Sequence, residues 1–150
     1  MHEKYLPLVA KLSHFLGDAV VMKSLAQGYH WNIKGIEFTQ LHDFYSEIYE
    51  DVDGSIDPLA ENIRKLGFES PYFLTDFLEL SCINEERVMG SAEETLTSLA
   101  RVNSCLIDIA KDVFVAADML EEQGIANFAA DRIDMHQKWQ WQLESSLGIR

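Results

Sequence analysis

Basic residues are scarce in this 150-residue chain: 12 Lys and Arg stand against 25 Asp and Glu, a formal charge of −13. No stretch clusters its cations, and the C-terminus carries only Arg150. Binding to nucleic acid rests on phosphate neutralisation by clustered Lys and Arg, so DNA is not an expected partner. An acidic surface suits solubility or the attraction of cations, and composition does not choose between them. Long hydrophobic runs are missing too. None nears the roughly 20 residues that span a bilayer, so no membrane is expected. Met1-His2-Glu3-Lys4 has no basic segment leading into an apolar core, and a cytoplasmic location is the expectation. Cysteine is limited to Cys82 and Cys105, with no CxxC and no closely spaced His or Cys partner of the kind zinc requires. Two buried thiols are expected.

With 47% hydrophobic and 25% charged residues, the composition is that of one folded domain over residues 1–150. Three prolines and eight glycines punctuate a helical text. Leu8, Leu12, Phe15, Leu16, Ala19, Met22 and Ala26 recur at helical spacing, predicting a helix from Lys4 to Ile33 with Pro7 in its first turns and Lys34-Gly35 at its end. A second helix is expected from Thr39, as N-cap, to Leu66, with Gly67 as its stop. Pro58 lies inside it, which predicts a bend near residues 54–58 rather than two helices. The apolar stretch between 67 and 90 predicts a short helix around Leu74 to Leu80 that buries its side chains. Ser91-Ala92-Glu93-Glu94 is a capping box that opens a third long helix to Glu122, ended by Gly124. A fourth runs from Ala126 to Leu147. The fold class is therefore all-α: a four-helix bundle whose longest link, between the second and third helices, sits where a ferritin-like crossover would.

His30 and His42 lie six residues either side of Ile36, at the centre of the first hairpin. Antiparallel helices bring such positions alongside each other, and two imidazoles there suit either a helix-end polar pair or a shared metal. Asp57 and Glu61, four apart, share one helix face, as part of a solvated acidic surface or as ligands. His42 and Asp57 are fifteen residues apart, roughly 22 Å along the axis at ~1.5 Å per residue, yet ~100° per step returns them to within about 60° of one direction. One chain cannot bring them to one ion. A two-fold axis crossing this helix near its middle can, laying two copies antiparallel so that each lends its acids to the other's imidazoles. Two imidazoles and two carboxylates without a thiolate suit iron, manganese or zinc. The intramolecular Glu-x-x-His design is absent: Lys11, Gln27, Thr39 and Ile133 stand three before His14, His30, His42 and His136.

Tyr29-His30-Trp31-Asn32, Leu41-His42, Asp57-Pro58-Leu59-Ala60-Glu61 and Leu66-Gly67 together resemble the Dps family of mini-ferritins, and the resemblance covers nearly the whole chain. It implies a ferritin-like fold and a hollow homo-dodecamer that oxidises Fe(II), typically with hydrogen peroxide and otherwise with oxygen, at centres shared across two-fold interfaces. Ferric mineral would be stored inside, which suppresses radical damage. By matching position it implies His30, His42, Asp57 and Glu61 as iron ligands, with Trp31 as the aromatic beside the centre. Three departures matter. Ser46, next to Glu47, stands where the family often has Asp, which puts the second iron position in doubt. Asn127 stands where an acid often lines the three-fold pore, with Glu121, Glu122 and Asp131 nearby as cation-attracting groups or as a solvated helix end. The Lys-rich tail of DNA-binding members is missing. Trp139 and Trp141 are read as packing residues and His136 as structural. The competing expectation is an assembly that sequesters metal without oxidising it.

Overall fold

The structure, a computed structural model, describes residues 2–88 and 90–150. After a 3-10 turn at His2–Tyr5 come five helices: α1 (Leu6–Asn32), α2 (Phe38–Lys65), α3 (Leu74–Leu80), α4 (Ala92–Met119) and α5 (Gln123–Ser146). There is no strand among the described residues. α1 packs on α2, α4 on α5, and α1 also on α4 and α3. Being covered on three sides, α1 is apolar almost all round: Leu8, Leu12, Phe15, Ala19, Met22 and Ala26 are fully enclosed. Each large side chain among them contributes about 1.5–3 kcal/mol by leaving water.

Two hydrogen bonds define the topology. Tyr45 near the start of α2 meets Thr95 near the start of α4, Oη to Oγ1 2.6 Å. Tyr29 at the end of α1 meets Ser98 of α4, Oη to Oγ 2.7 Å. Thus α2 and α4 begin at the same end of the bundle, and the link between them must travel its full length. That is the ferritin-like crossover, and it carries α3.

The helix ends follow local chemistry. Pro7 occupies the first turn of α1. The capping box forms: Glu94 N donates to Ser91 Oγ at 3.2 Å, and Ser91 Oγ donates to Glu94 Oε1 at 2.9 Å. Gly67, at φ 93°, closes α2 while its N–H donates to Arg64 O and that of Phe68 to Ile63 O. α2 runs unbroken through Pro58, as one helix.

Four boundary or burial expectations need correction. α2 is capped from Glu37, without a side-chain cap, and Thr39 lies inside it. α1 stops at Asn32, with Gly35 serving the turn beyond rather than the cap. Gly124 does not end α4; it falls in the first turn of α5, and the left-handed residue that closes α4 is Glu121, at φ 59°. Glu121 N–H donates to Asp118 O and Glu122 N–H to Ala117 O, so the terminal carbonyls dictate the conformation and a non-glycine residue bears it. α3 occupies the residues expected but buries none of them fully: Tyr72, Phe73, Leu74 and Leu78 stay exposed in the single chain. Phe77 packs against the core, and the C-terminal end of α3 meets α1 at Gly17.

Candidate metal centre

The α1–α2 hairpin does bring His30 and His42 together. Their rings stack at 3.7 Å between centroids and 13° between planes. His30 Nδ1 donates to His42 O at 2.6 Å, and His42 Nδ1 donates to His30 O at 2.7 Å. A carbonyl oxygen only accepts, so each Nδ1 must carry a proton, and the one nitrogen of each ring that can offer a lone pair is Nε2. No hydrogen bond among the described residues engages either Nε2. Phe38 stacks on the outer face of His42 at 4.9 Å, and Tyr49 meets His30 edge-on at 5.3 Å. The pair is thus oriented by backbone and aromatics rather than by a carboxylate, the kind of support that fixes ligating imidazoles.

Asp57 and Glu61 are exposed on α2, more than four turns from His42. Within one chain the structure therefore does not bring the acids to the imidazoles. Trp31 is 65% exposed just beyond His30. Ser46 lies between the two ends, its hydroxyl donating to Asp43 O at 2.7 Å. Glu47 is exposed beside it, as are Asn127, Glu121 and Asp131 at the α4–α5 end. At Gly54, near the middle of α2, a side chain would meet nothing within 4 Å, leaving a bare stretch of helix facing outward.

Sequence reasoning did not find the buried polar network at the heart of the bundle. Arg132 of α5 grips Asp51 of α2 at 3.0 and 2.9 Å, and the Trp139 indole donates to the same carboxylate at 2.8 Å. Burial pushes the Asp51 carboxyl up, but Arg132 and Trp139 outweigh it and hold it below the usual value. His136 is fully enclosed and structural, as read from the sequence, and Trp139 is core. Trp141 is exposed in the single chain. Burial drives the Tyr45 phenol up to about 12.

The cysteines depart from expectation. Cys82 is exposed and Cys105 half-buried, and both are free. Cys82 does have close partners. His14, Asp18 and Cys82 bring an imidazole nitrogen, a carboxylate oxygen and a sulfur within 4.8 Å of one another. Their separation of up to 68 residues along the chain hid this from any spacing rule. Desolvation, with the Asp18 charge and the Cys105 thiol beside it, pushes the Cys82 thiol up to about 11, and burial raises the Asp18 carboxyl.

The ferritin-like domain family matches residues 9–149. The "DNA protection during starvation protein" of Brevibacillus brevis is 31% identical over 140 residues, covering 91% of each chain. That of Helicobacter pylori is 28% identical over 137 residues, 91% of this chain and 95% of its own. A Dps protein from Vibrio cholerae O1, described as a member of a broad superfamily of ferritin-like diiron-carboxylate proteins, superposes with a TM-score of 0.93 at 28% identity. It covers 97% of this chain and 92% of its own.

Proposed function

The chain belongs to the Dps family of ferritin-like proteins, and from that membership we propose that it is an iron-storing ferroxidase whose oxidation centres form between two copies of α2. The observation that carries the reading is the reciprocal locking of His30 and His42, which frees an Nε2 lone pair on each for metal. Asp57 and Glu61 of a two-fold related copy supply carboxylate oxygens to those imidazoles, and Trp31 packs beside the centre. The placement of the acids at the far end of a continuous 28-residue helix supports this, because it leaves each chain half a site at either end.

Fe(II) is the substrate. Two Fe(II), one H2O2 and two H2O become two FeOOH and four H+, with both electrons going into the O–O bond of peroxide. Oxygen serves as the alternative acceptor. The paired imidazoles hold iron without adding negative charge, the carboxylates offset the charge that oxidation adds, and the acidic interior nucleates the mineral. The exposed apolar side chains Tyr72, Phe73, Leu74 and Leu78, and the exposed Trp31, support assembly into a closed oligomer, a dodecamer by family resemblance. The charge of −13 speaks against DNA compaction.

Mixing metal-free protein with Fe(II) and peroxide is the test. Rapid ferric absorbance is expected, falling at least about tenfold in the His30→Ala/Asp57→Ala variant. An unchanged rate in that variant would sink the assignment. A second reading, metal sequestration without oxidation, is favoured by Ser46, whose hydroxyl is committed to its own helix. One tightly held metal per site and no mineral growth would decide for it.

A further inference from the structure

We propose that His14, Asp18 and Cys82 form a divalent-cation site of zinc type, separate from the iron centre, that clamps the link after α3 onto α1. His14 lies sixteen residues from His30 on the same helix, about 24 Å along its axis, so the two sites share no ligand.

The site is built by close packing. A Cβ on Gly17 would stand 2.8 Å from Phe77 O and 3.0 Å from Ser81 N, so only glycine lets the end of α3 come down here. That approach sets the following loop against Asp18, which is wholly enclosed. The two carboxylate oxygens then divide their tasks. Oδ1 receives Ser81 Oγ at 2.7 Å and Cys82 N–H at 3.0 Å, which fixes the carboxylate. Oδ2 faces His14 Nε2 at 3.0 Å and Cys82 Sγ at 3.7 Å.

Those separations fit a tetrahedral ion. With Zn–N and Zn–O near 2.0–2.1 Å and Zn–S near 2.3 Å, ligand atoms at the tetrahedral angle stand about 3.3 Å apart for N and O, and about 3.6 Å for O and S. His14 Nε2 is enclosed yet makes no properly directed hydrogen bond, even to the oxygen 3.0 Å away. Apart from that 3.0 Å approach to the carboxylate, His14 Nε2 has no partner, which leaves its lone pair available to a cation held between the two. A thiolate among the donors selects zinc over magnesium or calcium. The exposure of Cys82 provides an entry path and leaves the fourth position to water.

Cobalt(II) is the probe, because a thiolate-to-cobalt charge-transfer band reports sulfur ligation and the His and carboxylate iron centre cannot produce one. Titrated into the reduced full-length protein, Co(II) is expected to develop that band to saturation at one equivalent per chain, and zinc to abolish it. Cys82→Ser should remove the band, His14→Ala should weaken binding at least about tenfold, and Cys105→Ala should leave it intact, with helicity by circular dichroism unchanged in each. Absence of the band in protein whose two thiols react as free would overturn the proposal, as would a band that survives Cys82→Ser.

Discussion

Arg132 directs an Nη2 proton at His136 Nε2 from 3.0 Å, so that a buried imidazole faces a guanidinium and must stay neutral. The other ring nitrogen is settled as well. Asn103 Nδ2 donates to His136 O and Gln140 Oε1, leaving Asn103 Oδ1 to accept from His136 Nδ1–H at 2.7 Å. Burial first and the Arg132 charge second depress His136 from 6.5 to about 3.

This sets an acid limit on stability. Between pH 6.5 and about 3 the unfolded chain holds a proton on His136 that the folded chain refuses, so stability is full above 6.5 and declines as pH falls. Asp51, also depressed, adds to the loss lower down, while Asp18, raised by burial, opposes it. Urea unfolding at fixed protein concentration should lose about 1.4 kcal/mol per pH unit through this window from His136. His136→Gln should flatten that slope; an equally steep slope would show that the proton goes elsewhere.

Centres shared between subunits, as proposed, would permit complementation. A chain lacking His30 and His42 and a chain lacking Asp57 and Glu61 should each oxidise iron at least about tenfold more slowly than the parent. Co-assembled, each mixed two-fold pair regains one complete centre. Restored ferric absorbance on refolding the two together checks this, and a sum no better than the parts would place the site within one chain.

Ser46→Asp puts a carboxylate where a hydroxyl now serves Asp43 O. Iron affinity at the second position should rise on the order of tenfold, and bound Fe(II) should approach two per centre. Equilibrium titration under anaerobic conditions measures it, with Ser46→Asn as the uncharged control.

Glu121 bears a left-handed conformation at φ 59° because the end of α4 demands one. Glu121→Gly should stabilise by about 0.5–1 kcal/mol, the relief of the Cβ strain less the entropy glycine adds to the unfolded chain. A rise in thermal midpoint at constant assembly size is the readout.

The face of α3 is expected to meet another subunit. Leu74, 75% exposed, and Leu78, 56% exposed, touch little within the chain, so Leu74→Asp with Leu78→Asp should leave the subunit folded. Burying those unpaired charges at an interface would cost several kcal/mol, and light scattering should show smaller species. An unchanged mass would free α3 of that role.

The hairpin that pairs His30 with His42 was legible because a short turn ties positions equidistant from it, and the capping box and α3 were legible because their signals are local. The ends of α2 and α4 were not, since Thr39 and Gly124 look like a cap and a stop but the hydrogen bonds at Glu37 and Glu121 decide the boundaries. His136 was read as structural, but its partners Asp51, Arg132 and Asn103 gave no sign, because each of them alone resembles an ordinary helix-surface side chain.

Periodicity, turns and charge belong to neighbours along the chain, and they were enough to set a helical bundle and to assign His42 and the acids of α2 to opposite ends of one rod. Which groups meet across the bundle depended on how closely backbones approach. Gly17 admits the end of α3, and only that contact carries Cys82 to Asp18, 64 residues away, and to the imidazole of His14. Packing at that range is a property of the folded volume, and no spacing rule along the chain encodes it.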